Sequence, residues 1–289
     1  MKIAHLTDIH VQTAPHLREL TAKRLLGTAN LYVLGRRSKF SESAQAAAVQ
    51  ATLAEDPDVV VFTGDLTAQA LDAEFAAARA LLDPILSKYS TVMIPGNHDT
   101  YVRENTPGDR MRELFGPWMG GEMPTVHDMG EVAFLCVETC RCHPLSAGWT
   151  PPEQLEAATE ALAGIGDQFV FLCIHYPLLG RRGEPYGPRT RALANADIFR
   201  EFLAGASGVG AVLHGHEHHG FRTEIQTADG PVPILNPGAT GYACIPERDR
   251  TAHMNIYEVE EGALVDVRRL SFDGESFKPE TGGAYATRR

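Results

Sequence analysis

The stretch Ile94-Pro95-Gly96-Asn97-His98-Asp99 decides how the rest of the chain is read. It follows an apolar run, Thr91-Val92-Met93-Ile94, with the length and composition of a buried strand. Pro95 and Gly96 end that strand and turn the chain. An amide, an imidazole and a carboxylate then stand side by side at a strand's carboxyl end, where open α/β sheets collect ligands. One such cluster could be an ordinary turn in which Asn97 and Asp99 bond their own backbone. The argument rests on four further strand ends that repeat the pattern.

Residues 2–7 form an expected strand that runs into Asp8-Ile9-His10. Alternate side chains of an extended segment point the same way, so Asp8 and His10 can face one point. The wholly apolar run Val59-Val60-Val61-Phe62 delivers Thr63-Gly64-Asp65. Helices are expected at 41–55, with Ser41 or Ser43 as cap, and from about 69 to 82. Strand, helix and strand in that order imply a parallel α/β unit. Residues 169–174 form an apolar strand that ends at His175, and residues 209–213 close on His214-Gly215-His216-Glu217-His218-His219. Thr150-Pro151-Pro152-Glu153 opens a helix running to Leu162, and another is expected near 196–203. Short strands around 221–226, 232–235, 254–260 and 264–270 suggest a second, more antiparallel sheet. No repeat or linker divides the chain, so one domain over residues 1–270 is expected, followed by a polar tail, 271–289, that is disordered in part.

Between the first strand and the first of those helices lies an excursion, 11–40, expected as a lid or insertion with a helix over 17–37. From 17 to 39 it carries six basic residues (Arg18, Lys23, Arg24, Arg36, Arg37, Lys39) against one acid, Glu19. A solvated helix face and a lid near an anionic substrate or membrane headgroup both fit that bias.

The formal net charge of −11 argues against a general nucleic-acid surface, since phosphate backbones attract Lys and Arg. Five irregularly spaced Cys suggest reduced thiols and a cytoplasmic protein. No charged leader with an apolar core opens the sequence, and no window approaches eighteen apolar residues, so neither a signal peptide nor a membrane span is expected.

Taken singly, a strand-end His or Asp is usually a turn former or a hydrogen-bonded loop residue. Together Asp8, His10, Asp65, Asn97, His98, His175, His216 and His218 place carboxylates, an amide and imidazoles in one crevice. That donor set suits Zn, Mn, Fe or Co better than Ca. That many donors exceed what one ion with an open position needs, and they suit two ions that share a bridging carboxylate about 3.5–4 Å apart.

In order and spacing, Asp8-x-His10, Gly64-Asp65, Gly96-Asn97-His98-Asp99, His175 and Gly215-His216-x-His218 resemble the blocks of the calcineurin-like metallophosphoesterases. The resemblance covers the chain from the first strand to about residue 218 with all five blocks intact. It implies an α/β fold, a four-layer α/β-β/α sandwich of two mixed sheets flanked by helices. It implies a binuclear centre of Mn, Fe or Zn, one ion held by Asp8, His10, Asp65 and His218, the other by Asp65, Asn97, His175 and His216. It makes His98 the residue that stabilises the phosphate or protonates the leaving group, with Asp99 orienting it. It implies attack on phosphorus by a hydroxide held between the ions.

The Asp8-x-His10 opening and the Gly-Asn-His-Asp motif look most like bacterial class III cyclic-nucleotide phosphodiesterases. Gly64-Asp65-Leu66-Thr67 departs from the protein-phosphatase pattern Gly-Asp-x-x-Asp-Arg-Gly. The expected substrate is therefore a small phosphodiester, a cyclic nucleotide or a glycerophosphodiester. A phospholipid or nucleotide-sugar diester, or a non-catalytic phosphatase-fold interaction protein, are the alternatives. Peripheral membrane contact through 17–39 and a homodimer stay open.

The remaining histidines, His5, His16, His127, His143 and His253, read as structural, and His214 and His219 flank the ligand pair. Tyr101, Arg103, Tyr176, Arg181, Arg182 and Arg222 are further candidates for substrate contact.

Overall fold

Three short runs that are buried on both faces set the first sheet: β1 (Lys2–Leu6), β2 (Val59–Phe62) and β3 (Ser90–Met93). They pair in parallel, Ile3 opposite Val59 and Val59 opposite Ser90, so their carboxyl ends lie together along one edge of the crevice. The computed structural model describes the chain apart from residues 17–18, 33–34, 103–108, 144 and 287–289, and apart from the side chains of 30–32, 36 and 109. Helices α1 (Ala22–Tyr32) and α2 (Glu42–Glu55) lie between β1 and β2, and α3 (Asp72–Leu86) lies between β2 and β3.

After α4 (Asp109–Met119) the chain builds a second sheet from β4 (Thr125–Asp128), β5 (Val132–Cys136), β6 (Phe169–Cys173) and β7 (Val209–Leu213). Helices α5 (Pro152–Gly164) and α6 (Ala196–Gly205) make the crossovers of this half. Strands β5, β6 and β7 are parallel, which again sends their carboxyl ends to one side.

The later strands do not form a separate sheet, as their spacing suggests. β8 (His219–Thr227) and β9 (Gly230–Gly238) extend the second sheet beyond β7, while β10 (His253–Glu260), β11 (Ala263–Phe272) and β12 (Phe277–Pro279) extend the first beyond β1. The reason is burial: β9 and β10 supply Leu235, Tyr257 and Val259 to the core between the sheets, so each pair is drawn to a different parallel half.

That inter-sheet core joins Ile3, Val61 and Val92 to Phe134, Phe171 and Leu213, with the Phe134 and Phe171 rings stacked at 5.4 Å. Larger cores also pack the helices on the outer faces of the sheets. One packs α2, α3 and α4 on the first sheet through Val49, Phe75 and Phe115; the other packs α5 and α6 on the second through Leu155 and Phe199. The result is helices, sheet, sheet, helices. Burying each of these rings is worth about 2–3 kcal/mol, which favours four layers over an open sheet.

Some boundaries differ from the sequence reading for local reasons. Helix α3 starts at Asp72 instead of 69 because the Glu74 carboxylate accepts the backbone N–H groups of Gln69 and Leu71, making those residues its cap. Helix α1 starts at Ala22 instead of 17. Strand β4 was not expected; it is short, half-exposed and at the sheet's edge, so it carries little apolar signal.

The described part of the tail, residues 271–286, is tied to the first sheet. Strand β12 pairs antiparallel with β11, and the fully buried Arg269 binds Glu280 at 2.9 Å. Glu280 also accepts the Tyr285 amide at 2.7 Å, and the Tyr285 hydroxyl donates to the Asn236 carbonyl at 3.1 Å. A polar composition hid this because the anchor is a buried ion pair rather than apolar contact.

Removing one partner of such a pair strands a buried charge. Glu280→Ala should lower unfolding free energy in urea by about 3 kcal/mol, and Arg269→Met with Glu280→Leu should recover most of it. An unchanged urea midpoint in the single variant would contradict this role for the pair.

Candidate metal centre

The parallel halves meet with their carboxyl ends facing each other. From the first sheet come Asp8 and His10 after β1, Asp65 after β2, and Asn97 and His98 after β3; from the second come His175 after β6 and His216 and His218 after β7. All of them except His218 are buried. Four of these residues, Asp8, His10, Asp65 and His216, have φ between 52° and 66°, the left-handed region that a side chain rarely adopts. Each such residue costs about 1–3 kcal/mol and persists only where surrounding bonds hold it.

Close approach of the loops is achieved through glycine. A Cβ on Gly96 would lie 2.1 Å from Asp65 Oδ1, and one on Gly215 would lie 2.0 Å from Thr7 Oγ1 and 2.7 Å from Asp8 Oδ2. The glycine before Asn97 and the glycine before His216 therefore let the strand ends touch.

Hydrogen bonds to backbone carbonyls orient the imidazoles. His10 Nδ1 donates to Thr67 O (3.2 Å), His175 Nδ1 to Thr63 O (2.7 Å) and His216 Nε2 to Arg191 O (2.9 Å). A carbonyl only accepts, so in each neutral ring the other nitrogen turns a lone pair into the site. His10 Nε2 stands 3.1 Å from His218 Nε2, 3.5 Å from Asp65 Oδ2 and 3.7 Å from Asp8 Oδ1. His175 Nε2 stands 3.5 Å from Asp65 Oδ1 and 3.2 Å from Asn97 Oδ1, and His216 Nδ1 lies 2.8 Å from the same amide oxygen. The Tyr242 hydroxyl meets His218 Nδ1 at 3.0 Å.

These atoms form donor groups that could each hold an ion, Asp8/His10/His218 and Asp65/His175/His216, and a third, His10/Asp65/His98, overlaps both. Asp65 faces both sides, Oδ2 to His10 and Oδ1 to His175. The residues fit metal ions on this structure's own terms. Asp8 Oδ1 is buried with no close hydrogen-bond partner among the described residues, and His218 Nε2 and His10 Nε2 stand 3.4 and 3.7 Å from it. A buried carboxylate oxygen left so is costly unless a cation meets it.

Electrostatics agree. Burial opposes charge on Asp65, but the imidazoles of His175, His98 and His10 outweigh it and hold the carboxyl well below the usual range. Burial likewise opposes charge on His175, yet Asp65 beside it lifts the imidazole to about 9. The cluster demands positive charge.

Asp99, expected to orient His98, binds the loops on either side of that residue. Its carboxylate accepts Gly96 N (2.9 Å), Leu66 N (3.2 Å), Thr67 N (3.0 Å) and Thr67 Oγ1 (2.9 Å), lashing the β3 loop to the β2 loop. Burial and the nearby Asp65 push its pKa up to about 6. It is the Ala68 carbonyl that takes His98 Nδ1, at 2.6 Å.

Among the further candidates, Tyr101 stacks on His98, and Tyr176 is buried with its ring 4.4 Å from that of His216. Arg181 is exposed and donates to His219 O, Arg182 is exposed on the same loop, and Arg222 is exposed beside Leu264, away from the centre. Arg103 lies outside the described residues. His214 is buried and donates to Gly215 O, and His5 sits between the Tyr257 and Thr63 hydroxyls, burial pushing its pKa down to about 3.

A cavity of about 450 Å³ opens on the centre, lined by Asp65, Asn97, His98, His216 and His218, with Lys39, Ser146, Arg191 and Tyr242 around it. Sequence reasoning did not single out Arg191 or Tyr242. Neither sits at a parallel strand's end, and only the packed loops bring them to the site. Within the excursion, Lys23 and Arg24 bind backbone carbonyls of Tyr101, His143, Gln69 and Ala70, and Leu25 and Leu26 are 57% and 73% exposed. No helix among the described residues is long and apolar enough to cross a membrane.

The same layered fold is found in other proteins. The purple acid phosphatase from yellow lupin (Lupinus luteus) seeds superposes with a TM-score of 0.63 at 15% identity, over 96% of this chain and 52% of that one. A dimetal phosphatase from Danio rerio gives 0.55 at 14% identity, over 93% and 94%. A probable cyclic nucleotide phosphodiesterase of Pseudoalteromonas sp. (strain SM9913) is 23% identical over 179 residues, 61% of this chain and 61% of that protein. The chain thus spans less than two thirds of that relative and about half of the lupin enzyme. Residues 1–220 match the family model described as calcineurin-like phosphoesterase, and this chain belongs to that family.

Proposed function

We propose that this chain is a metal-dependent phosphoric ester hydrolase with two ions, acting as a phosphodiesterase on a small diester, a cyclic nucleotide or a glycerophosphodiester. The observation that carries the reading is the Asp65 carboxylate, with one oxygen turned to His10 and the other to His175. Asp8, His10, Asp65 and His218 would hold one ion, and Asp65, Asn97, His175 and His216 the other. When bound, two such ions supply Lewis-acid charge for the phosphoryl oxygens and lower the pKa of water.

The chain's own groups do the rest. His98 is held by its amide on Asp65 Oδ1 at 2.7 Å and by Nδ1 on the Ala68 carbonyl, so Nε2 is the nitrogen that would meet the substrate. As the imidazolium it donates from Nε2 to a phosphoryl oxygen or gives its proton to the departing alkoxide. Lys39 and Arg191 line the cavity, Arg191 with the Glu217 carboxylate 3.6 Å away, and Lys39 adds positive charge that favours an anionic substrate. A space of about 450 Å³ suits a small molecule, and the Pseudoalteromonas relative's name supports a cyclic nucleotide.

Metal-stripped protein resupplied with Mn, Fe, Zn or Mg should hydrolyse bis(p-nitrophenyl) phosphate faster than p-nitrophenyl phosphate, and Asn97→Ala should lose about 100-fold or more. Diester turnover that survives both chelation and Asn97→Ala would overturn the reading. Metal analysis provides a second check: Asn97→Ala should keep one ion per chain, whereas Asp65→Ala should weaken both sites. Two tightly held ions in Asp65→Ala would remove the bridging role.

A further inference from the structure

The excursion between β1 and α2 ends up gripping His98 from two directions. On one side the Tyr101 ring lies nearly parallel to the His98 imidazole, centroids 5.5 Å apart and planes 17° apart. Lys23 on α1 holds this tyrosine, its ammonium 4.1 Å from the ring centroid and donating to the Tyr101 carbonyl at 2.7 Å. The same ammonium donates to the His143 carbonyl at 2.8 Å, so α1 is fastened to two loops at once. Helix and ring are in close contact, for a Cβ on Gly27 would come 2.6 Å from the Tyr101 hydroxyl oxygen.

On the other side, the Ala68 carbonyl that takes His98 Nδ1 belongs to a loop that α1 also binds. Arg24 donates to the carbonyls of Gln69 (3.2 Å) and Ala70 (2.6 Å), and Thr28 Oγ1 donates to Gln69 Oε1 (3.1 Å). Both supports of the imidazole are therefore anchored on one helix.

We infer that α1 is a positioning element for His98, with Tyr101 and Lys23 as positioning residues that act through it. This rests on the proposed hydrolase reading, in which His98 meets the substrate. The physical need is clear: the outer torsion of a histidine is broad, and a ring held at Nδ1 by the Ala68 carbonyl, with His10 edge-on at 4.8 Å, gains from a further support against rocking. A stacked ring removes that motion, and an ammonium over the stack adds a cation–π contact that holds the tyrosine in place. A misplacement of about 1 Å at a reacting group can cost about 100-fold in rate. On this view Lys23 and Arg24 serve the catalytic geometry, and their charge is turned inward to the protein's own carbonyls.

The test uses the full chain, zinc-loaded. The Cε1–H resonance of His98, displaced by the Tyr101 ring current, should move in Tyr101→Leu and in Lys23→Met and keep its wild-type position in Tyr101→Phe. With diesters of an alkyl alcohol, kcat should fall roughly 10-fold in Tyr101→Leu and Lys23→Met with KM little changed. In a His98→Ala background the same substitutions should cost nothing further. An unmoved His98 resonance, or equal losses with and without His98, overturns the inference. Lys23→Met carries the test alone if Tyr101→Leu does not fold. Absence of diester turnover by wild type with every metal overturns the hydrolase reading, while the resonance still decides the positioning.

Discussion

The contact on which the site depends is the bond from the His98 amide to Asp65 Oδ1. It joins the end of β3 to the end of β2 and fixes the one carboxylate that faces both donor groups. Gly96 permits it, since any side chain there would collide with Asp65. Asp99 then stabilises the junction from beneath, its two oxygens accepting from Gly96, Leu66 and Thr67. Without this junction the second sheet's histidines would have nothing to converge on.

The strain at the centre follows from that convergence. Four donor residues take left-handed backbone conformations to aim their side chains inward. Asp and His tolerate that region better than bulky residues, but the cost must be met elsewhere. Here it is met by the inter-sheet core of Phe134, Phe171 and their neighbours, and by carbonyls that accept an N–H from His10, His175 and His216. Rigid layers thus hold strained loops, and the loops hold ring nitrogens with their lone pairs toward a shared space.

In the excursion 11–40 a charge count holds only in part: Lys39 lines the cavity on the centre, but other basic residues do not. A net excess of Lys and Arg over 17–39 suggests a surface that meets an anion. Among the described residues, Lys23 and Arg24 are instead tied to the backbone of neighbouring loops. Composition registers charge, whereas the partner of each charge is a property of the packed chain. The same holds for Arg269 and Glu280, which tie a polar tail to the first sheet.

Much of the fold and the site was legible in the sequence because both are written in local order. Apolar runs of four to six residues, each ending in Asp, Asn or His, mark the parallel strands and their functional ends, and the spacing of those blocks points to the family. What only tertiary structure decided is which groups face each other. The split of the last strands between two sheets follows from core burial that no single strand encodes. Asp99 serves the loops and Ala68 serves His98 because backbone carbonyls and amides carry no sequence signature. Tyr242 and Arg191 reach the site only when distant loops close over it. Residue types determine what chemistry is available, and the meeting of two sheets determines where it is aimed.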